Sequence, residues 1–192
     1  VTAPPDPASA PADAAAALVA VLTARRLTLA VAESLTGGLV TARVVDVPGA
    51  SVVLRGGVVA YASELKHRLL GVDSRLLAER GAVDPDVALA MARGVRGRLS
   101  ADVGVATTGV AGPDPQDGRP AGTVFVAVAG VPGEGGVVHE RVVELDVPGD
   151  RAVVRAAATA AALDLLLSAL SEGARPASAA RNTGGGRGVP PT

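Results

Sequence analysis

Three short segments carry residue types able to do chemistry. The first, Ala32-Glu33-Ser34-Leu35-Thr36-Gly37-Gly38, follows an apolar run and opens a helical pattern, which places Ser34 at the mouth of a helix. A hydroxyl there can attack a carbonyl while turn N–H groups hold the developing oxyanion, as acyl transfer from an amide requires. Gly37 and Gly38 would let a ligand approach the backbone at the helix mouth. The same spacing also suits a simple cap at Ser34 or Thr36 with packing glycines.

A serine without a nearby histidine needs another proton acceptor. The second segment, Tyr61-Ala62-Ser63-Glu64-Leu65-Lys66, supplies the only tyrosine at a strand end and, a helical turn later, the only lysine among 18 basic residues. A lysine or tyrosine of lowered pKa can take a serine proton. Alternatively, Tyr61 closes the core rim and Lys66 is a solvated helix charge. The third segment, Thr107-Thr108-Gly109-Val110-Ala111-Gly112-Pro113-Asp114, again follows an apolar strand. Its hydroxyls and glycine-enabled N–H groups could bind a carboxylate or phosphate, or form an ordinary turn. Arg151 and Arg155, one turn apart at the start of the last helix, could clamp a phosphate or be ordinary surface arginines of a helix. His67 and His139 have no partner spacing and read as structural or solvated.

Composition narrows the classes. With one Phe, one Tyr, no Trp and a net charge of -1, the chain offers neither stacking platforms nor a basic face, so nucleic acid is not an expected partner. The absence of cysteine excludes thiolate chemistry and zinc ribbons, and no metal site or cofactor is expected. The apolar run Ala14 to Ala24 is too short to span a bilayer and its lead is acidic and Pro-rich, so no membrane partner is expected and the chain reads as cytosolic.

These groups must be positioned by a core that 48% apolar residues can build. Strands are predicted at Leu27 to Ala32, Gly57 to Tyr61, Val103 to Thr107, Thr123 to Ala129 and Val137 to Leu145. Helices are predicted at Asp13 to Arg26, Thr36 to Val45, Ser63 to Leu70, Ser74 to Glu79, Pro85 to Leu99 and Ala152 to Leu170, with Asp13 and Asp84 as caps. The interleaving predicts a three-layer α/β/α domain with a mostly parallel central sheet, mixed because the connection through Gly130-Val131-Pro132-Gly133 is short enough for a hairpin. The domain is expected over residues 13–171, between a disordered lead (1–12) and a disordered Gly/Pro-rich tail (172–192).

Taken together, the three segments, Gly57 to Tyr61, Leu70-Gly71-Val72, Gly81-Ala82-Val83, Pro120-Ala121-Gly122-Thr123-Val124 and Pro148-Gly149-Asp150-Arg151 resemble, in order, the motifs of the CinA C-terminal domain family. The resemblance covers about Asp13 to Leu170. It implies a nicotinamide-nucleotide amidase that hydrolyses the carboxamide of nicotinamide mononucleotide to nicotinic acid mononucleotide and ammonia without a metal, feeding NAD synthesis. By position it implies Ser34 as nucleophile, Tyr61 and Lys66 as groups that activate it or shuttle its proton, and Thr108 as a site hydroxyl. Thr36, Gly37, Gly38, Gly109, Gly112 and Arg151 are the expected substrate and phosphate contacts, and a homodimer is implied. Leu35 departs from the small residue or cysteine of many relatives. Many relatives carry a larger N-terminal module, whose activities are not expected of this chain. The alternative reading is a catalytically silent nucleotide-binding or competence-related partner module.

Overall fold

The computed structural model describes residues 9–172 apart from 134 and 136, so most of both expected tails lies outside the described residues. In chain order the elements are α1 (Ser9–Arg25), β1 (Leu29–Glu33), α2 (Leu39–Val45), a 3-10 turn at Ala50–Val52, β2 (Leu54–Val59), α3 (Ser63–Leu70), α4 (Ser74–Arg80), α5 (Pro85–Arg98), β3 (Val103–Gly109), β4 (Thr123–Pro132), β5 (Val138–Asp146) and α6 (Arg151–Glu172).

The strands form one sheet in the order β2-β1-β3-β4-β5. β2, β1 and β3 are parallel neighbours; β4 is antiparallel to both β3 and β5, so β4 alone runs against the other four. The chain passes from β1 to β2 on one side and returns to β3 on the other, which opens a crevice where β1 and β3 end.

Strand alternation sends different side chains to the two faces. Leu29, Val31, Val103, Val105, Val124, Val126 and Val128 pack against α1, α2 and α6. Ala30, Ala32, Ala106, Ala127 and Ala129 face α5 with Phe125, and these small residues let α5 lie close. By length and composition α6 could cross a membrane, but half of it is buried, and Val154, Ala158, Leu163 and Leu166 place it as the core helix of this face.

Boundaries differ from expectation for local reasons. α1 starts at Ser9, so Asp13 lies inside the helix and does not cap it; Pro11 is tolerated in the first turn, where its missing N–H has no partner to lose. Likewise α6 runs on through Glu172. β2 begins three residues before the predicted start and ends before Tyr61: as an edge strand it alternates half-buried and exposed residues from Leu54 on, and Gly56 and Gly57 dilute that signal. α2 begins at Leu39 and not Thr36, because Gly38 takes a left-handed conformation (φ 101°) as its cap. Asp84 caps α5 as expected, accepting from Asp86 N–H at 2.8 Å, with Pro85 in the first turn.

Candidate active site

At the carboxyl end of β1 the chain leaves the sheet through a turn, residues 34–38, before α2 begins. Ser34 opens it, its N–H donating to Thr107 O of β3 at 3.0 Å. The turn is held from beneath by Glu33, which is fully buried. Its Oε2 accepts from Gly38 N–H (2.8 Å) and Val40 N–H (3.1 Å), and its Oε1 from Thr41 N–H (2.8 Å) and the Thr41 hydroxyl (2.6 Å). A carboxylate at a helix N-terminus satisfies amides that would otherwise lack acceptors and complements the helix dipole.

Lys66 reaches Ser34 from α3. Its Nζ donates to Ser34 Oγ at 2.9 Å and to Ala60 O at 3.3 Å, and only 1% of the residue is exposed. Burial lowers its pKa from 10.5 to about 8, against an opposing pull from the Asp117 carboxylate, which favours the ammonium. An amine so placed takes a proton from a hydroxyl and returns it at neutral to mildly alkaline pH.

Thr108, at the end of β3, is buried and donates its hydroxyl proton to Ala82 O at 2.7 Å, which leaves its oxygen as an acceptor. Ala82 N–H in turn donates to Asp117 Oδ2 at 2.7 Å, tying the loop after β3 to the site. Tyr61 lies 57% exposed at the rim, and its hydroxyl accepts from Arg151 Nη2 at 2.6 Å; Arg151 Nη1 also donates to Gly112 O at 3.1 Å. Both of these partners of Arg151 are neutral, and among the described residues no carboxylate contact compensates its positive charge at the mouth. Ser34, Leu35, Tyr61, Lys66, Thr108, Gly109, Gly112, Asp114, Gln116 and Arg151 line one cleft of about 100 Å³. That volume is below the range for whole-ligand pockets and suits a group about the size of one ring.

The structure thus brings Ser34, Tyr61, Lys66, Thr108, Gly109, Gly112 and Arg151 together and leaves Thr36, Gly37 and Gly38 out of the cleft lining. The Thr36 hydroxyl pairs with that of Thr107 at 2.7 Å, Gly37 N–H donates to Ser34 O at 3.1 Å, and Gly38 N–H is taken by Glu33. The Thr36 hydroxyl and the Gly37 and Gly38 amides expected for a phosphate are therefore already engaged. Gly109 is glycine for another reason as well: a Cβ there would lie 2.5 Å from Thr123 O of β4. Arg155, offered by the sequence as a phosphate clamp, donates to the carbonyls of Leu35 and Thr36. His67 bonds Val72 O through Nδ1 at 2.8 Å and is structural.

Sequence reasoning missed the roles of Glu33 and Asp117. Glu33 had a legible signal: an acid at a strand end, five residues before Gly38, the helix cap that offers no side chain. Asp117 had none, because its closeness to Lys66 arises from the folding of the loop between β3 and β4. Among the described residues no group of three or more His, Cys, Asp and Glu converges as a metal site would.

Residues 12–170 match the model of the CinA C-terminal domain. A CinA-like protein of Frankia casuarinae is 52% identical over 149 residues, 78% of this chain and 33% of that protein. A putative competence-damage inducible protein of Desulforamulus reducens is 48% identical over 139 residues, 72% of this chain and 32% of that protein. The chain therefore spans about a third of the length of these curated relatives. Among crystal structures, the competence/damage inducible protein CihA from Agrobacterium tumefaciens superposes with a TM-score of 0.75 at 30% identity, covering 88% of this chain and 99% of that one. A competence-damaged protein (CinA) superfamily protein from Escherichia coli gives 0.73 at 33% identity, covering 83% and 90%.

Proposed function

The chain belongs to the CinA C-terminal domain family, and from that premise we propose that it is a metal-independent serine amidohydrolase that converts nicotinamide mononucleotide to nicotinic acid mononucleotide and ammonia. The observation that carries the reading is the buried pair Lys66 Nζ–Ser34 Oγ at 2.9 Å, with the amine's pKa lowered to about 8.

Neutral Lys66 takes the Ser34 proton as Oγ bonds to the carboxamide carbon, giving a tetrahedral oxyanion. Among the described residues the N–H groups of Leu35 and Thr36 donate to no protein group, and Leu35, next to the nucleophile, lines the cleft, so we assign the turn amides after Ser34 as the donors to that oxyanion. The Lys66 ammonium then protonates the leaving nitrogen, the C–N bond breaks, and ammonia departs from an acyl-Ser34 ester. Neutral again, Lys66 deprotonates a water that attacks the ester, then returns the proton to Ser34 as the carboxylate product leaves. Thr108 Oγ1, whose proton is committed to Ala82 O, can accept from the carboxamide NH2 and help orient it. Arg151 faces the anionic phosphate at the mouth, and Tyr61, bonded to Arg151, lies at the rim beside it.

The test is ammonia release from nicotinamide mononucleotide by the wild type and by Ser34→Ala, with a chelator present throughout. Release that disappears with Ser34, while the variant still binds the nucleotide by calorimetry, supports the mechanism. Absence of release from the wild type moves the assignment to a nucleotide-binding module.

A further inference from the structure

Arg155 lies one helical turn beyond Arg151 on α6, yet unlike Arg151 it does not line the cleft. Its Nε donates to Leu35 O at 3.0 Å and its Nη2 to Thr36 O at 2.8 Å, across 120 and 119 residues of sequence. These are the two carbonyls immediately following the nucleophile, in the one stretch between β1 and α2 that neither the sheet nor a helix organises. We propose that Arg155 is a positioning residue for Ser34, holding the turn so that its free amide groups face an oxyanion; the proposal rests on the serine-nucleophile reading.

In a trans peptide the carbonyl and N–H point in opposite directions. Pinning Leu35 C=O toward α6 therefore turns Thr36 N–H away from α6, and pinning Thr36 C=O does the same for Gly37 N–H, which donates to Ser34 O at 3.1 Å. Among the described residues the amides of Leu35 and Thr36 keep no acceptor. A guanidinium on a carbonyl also polarises that peptide unit and strengthens its N–H as a donor. Glu33 secures the far end of the turn through Gly38, Val40 and Thr41, and Thr107 O secures its start at Ser34 N–H. In the middle, the Thr107 hydroxyl pairs with that of Thr36 at 2.7 Å, and Arg155 is the side chain that holds the backbone carbonyls.

Arg155→Ala and Arg155→Lys are to be compared with the wild type in hydrolysis of nicotinamide mononucleotide and in covalent labelling of Ser34 by a fluorophosphonate, read by mass spectrometry. Circular dichroism melting establishes that each variant is folded, and Arg155→Lys, which keeps the charge and the stem, serves if Arg155→Ala does not fold. Because loss of one direct oxyanion donor costs about 100-fold or more, loss of the residue that aims the donors is expected to lower kcat by about 10- to 100-fold. KM and the apparent pKa of the pH profile stay at wild-type values, labelling of Ser34 slows in step, and free guanidinium at millimolar concentration restores part of the rate to Arg155→Ala. A folded variant with kcat and labelling within roughly threefold of wild type overturns the proposal. So does a rise in KM at unchanged kcat, which would make Arg155 a substrate contact. If wild-type Ser34 labels but releases no ammonia, the amidase reading fails while the labelling rates still decide the role of Arg155. A wild type that neither labels nor turns over removes both.

Discussion

Lys66 Nζ lies 2.9 Å from Ser34 Oγ, and the lysine that makes this contact is 99% enclosed by protein with no carboxylate of the described residues in ion-pair contact. Desolvation opposes its charge, and Asp117 only partly offsets that. An amine in such surroundings is a base near neutral pH, where an exposed lysine would remain an ammonium.

The activity should record this directly. kcat/KM for nicotinamide mononucleotide is expected to rise with pH and level off above an apparent pKa of about 8, because only the neutral amine accepts the Ser34 proton. Asp117→Asn should move that limb to lower pH, since it removes the charge that favours the ammonium. Lys66→Arg should lower kcat by about 100-fold or more, because a guanidinium does not release its proton in this range. A flat profile, or a limb unmoved by Asp117→Asn, would separate Lys66 from the base role.

The same burial costs stability. An unfolded lysine keeps its proton up to about pH 10.5, whereas in the fold Lys66 releases it near 8. Below pH 8 the fold therefore holds a desolvated ammonium at a cost of about 3 kcal/mol, which fades as pH rises from 8 toward 10.5. Lys66→Met should be inactive and, in urea unfolding at pH 7, more stable by up to about 3 kcal/mol. Its advantage over wild type should shrink at pH 10; a difference independent of pH would contradict this account.

The parts of the fold legible in the sequence were those with strong local signals. The buried strands β1, β3 and β4 read as apolar runs, and α5 announced itself through Asp84 and Pro85. The edge strand β2 was read short because its glycines weaken the alternation. Within the site, the spacing of Tyr61 and Lys66 implied a shared pocket, and the structure places both on one cleft with Ser34. The turn after Ser34 was read as helix, and the donors at Gly38 were assigned to a phosphate, because sequence spacing does not show that the Glu33 carboxylate folds back to occupy them. Arg155 was visible as a residue, but its target, a pair of backbone carbonyls 119 and 120 residues away, carries no side-chain signature.

Glu33→Gln tests whether that carboxylate is structural. The carboxylate accepts from Gly38, Val40 and Thr41 with both oxygens. A glutamine must turn its NH2 toward one of these donor pairs, leaving buried N–H groups facing N–H. The expected loss is about 2 to 4 kcal/mol in urea unfolding. A loss below roughly 0.5 kcal/mol would mean that the turn does not depend on this cap.

Arg151→Ala separates recognition from chemistry. Among the described residues its guanidinium bonds Tyr61 Oη and Gly112 O and no carboxylate, so its charge is available to a phosphate. KM for nicotinamide mononucleotide should rise by about 10- to 100-fold with little change in kcat, since a charge-assisted contact contributes about 1.5 to 3 kcal/mol. Hydrolysis of the riboside, which lacks the phosphate, should change far less. Equal losses on both substrates would assign Arg151 to holding Tyr61 and the Gly112 turn.

Gly94→Ala probes how α3, which carries Lys66, is seated. A Cβ at Gly94 of α5 would lie 1.9 Å from Leu70 O and 2.9 Å from the same carbonyl carbon, so α3 must shift to admit one methyl group. Leu70 ends α3 one turn after Lys66, and a displacement there is transmitted along a rigid helix to the amine. The variant should lose about 1 to 3 kcal/mol of stability through overpacking. It should also lose kcat, because a 1 Å misplacement of a catalytic group costs about 100-fold. Gly97→Ala on the same helix is the control: nothing lies within 4 Å of its Cβ. There the methyl group should raise stability by about 0.5 to 1 kcal/mol and leave kcat unchanged. If both variants behave alike, contact between α5 and α3 does not set the position of Lys66.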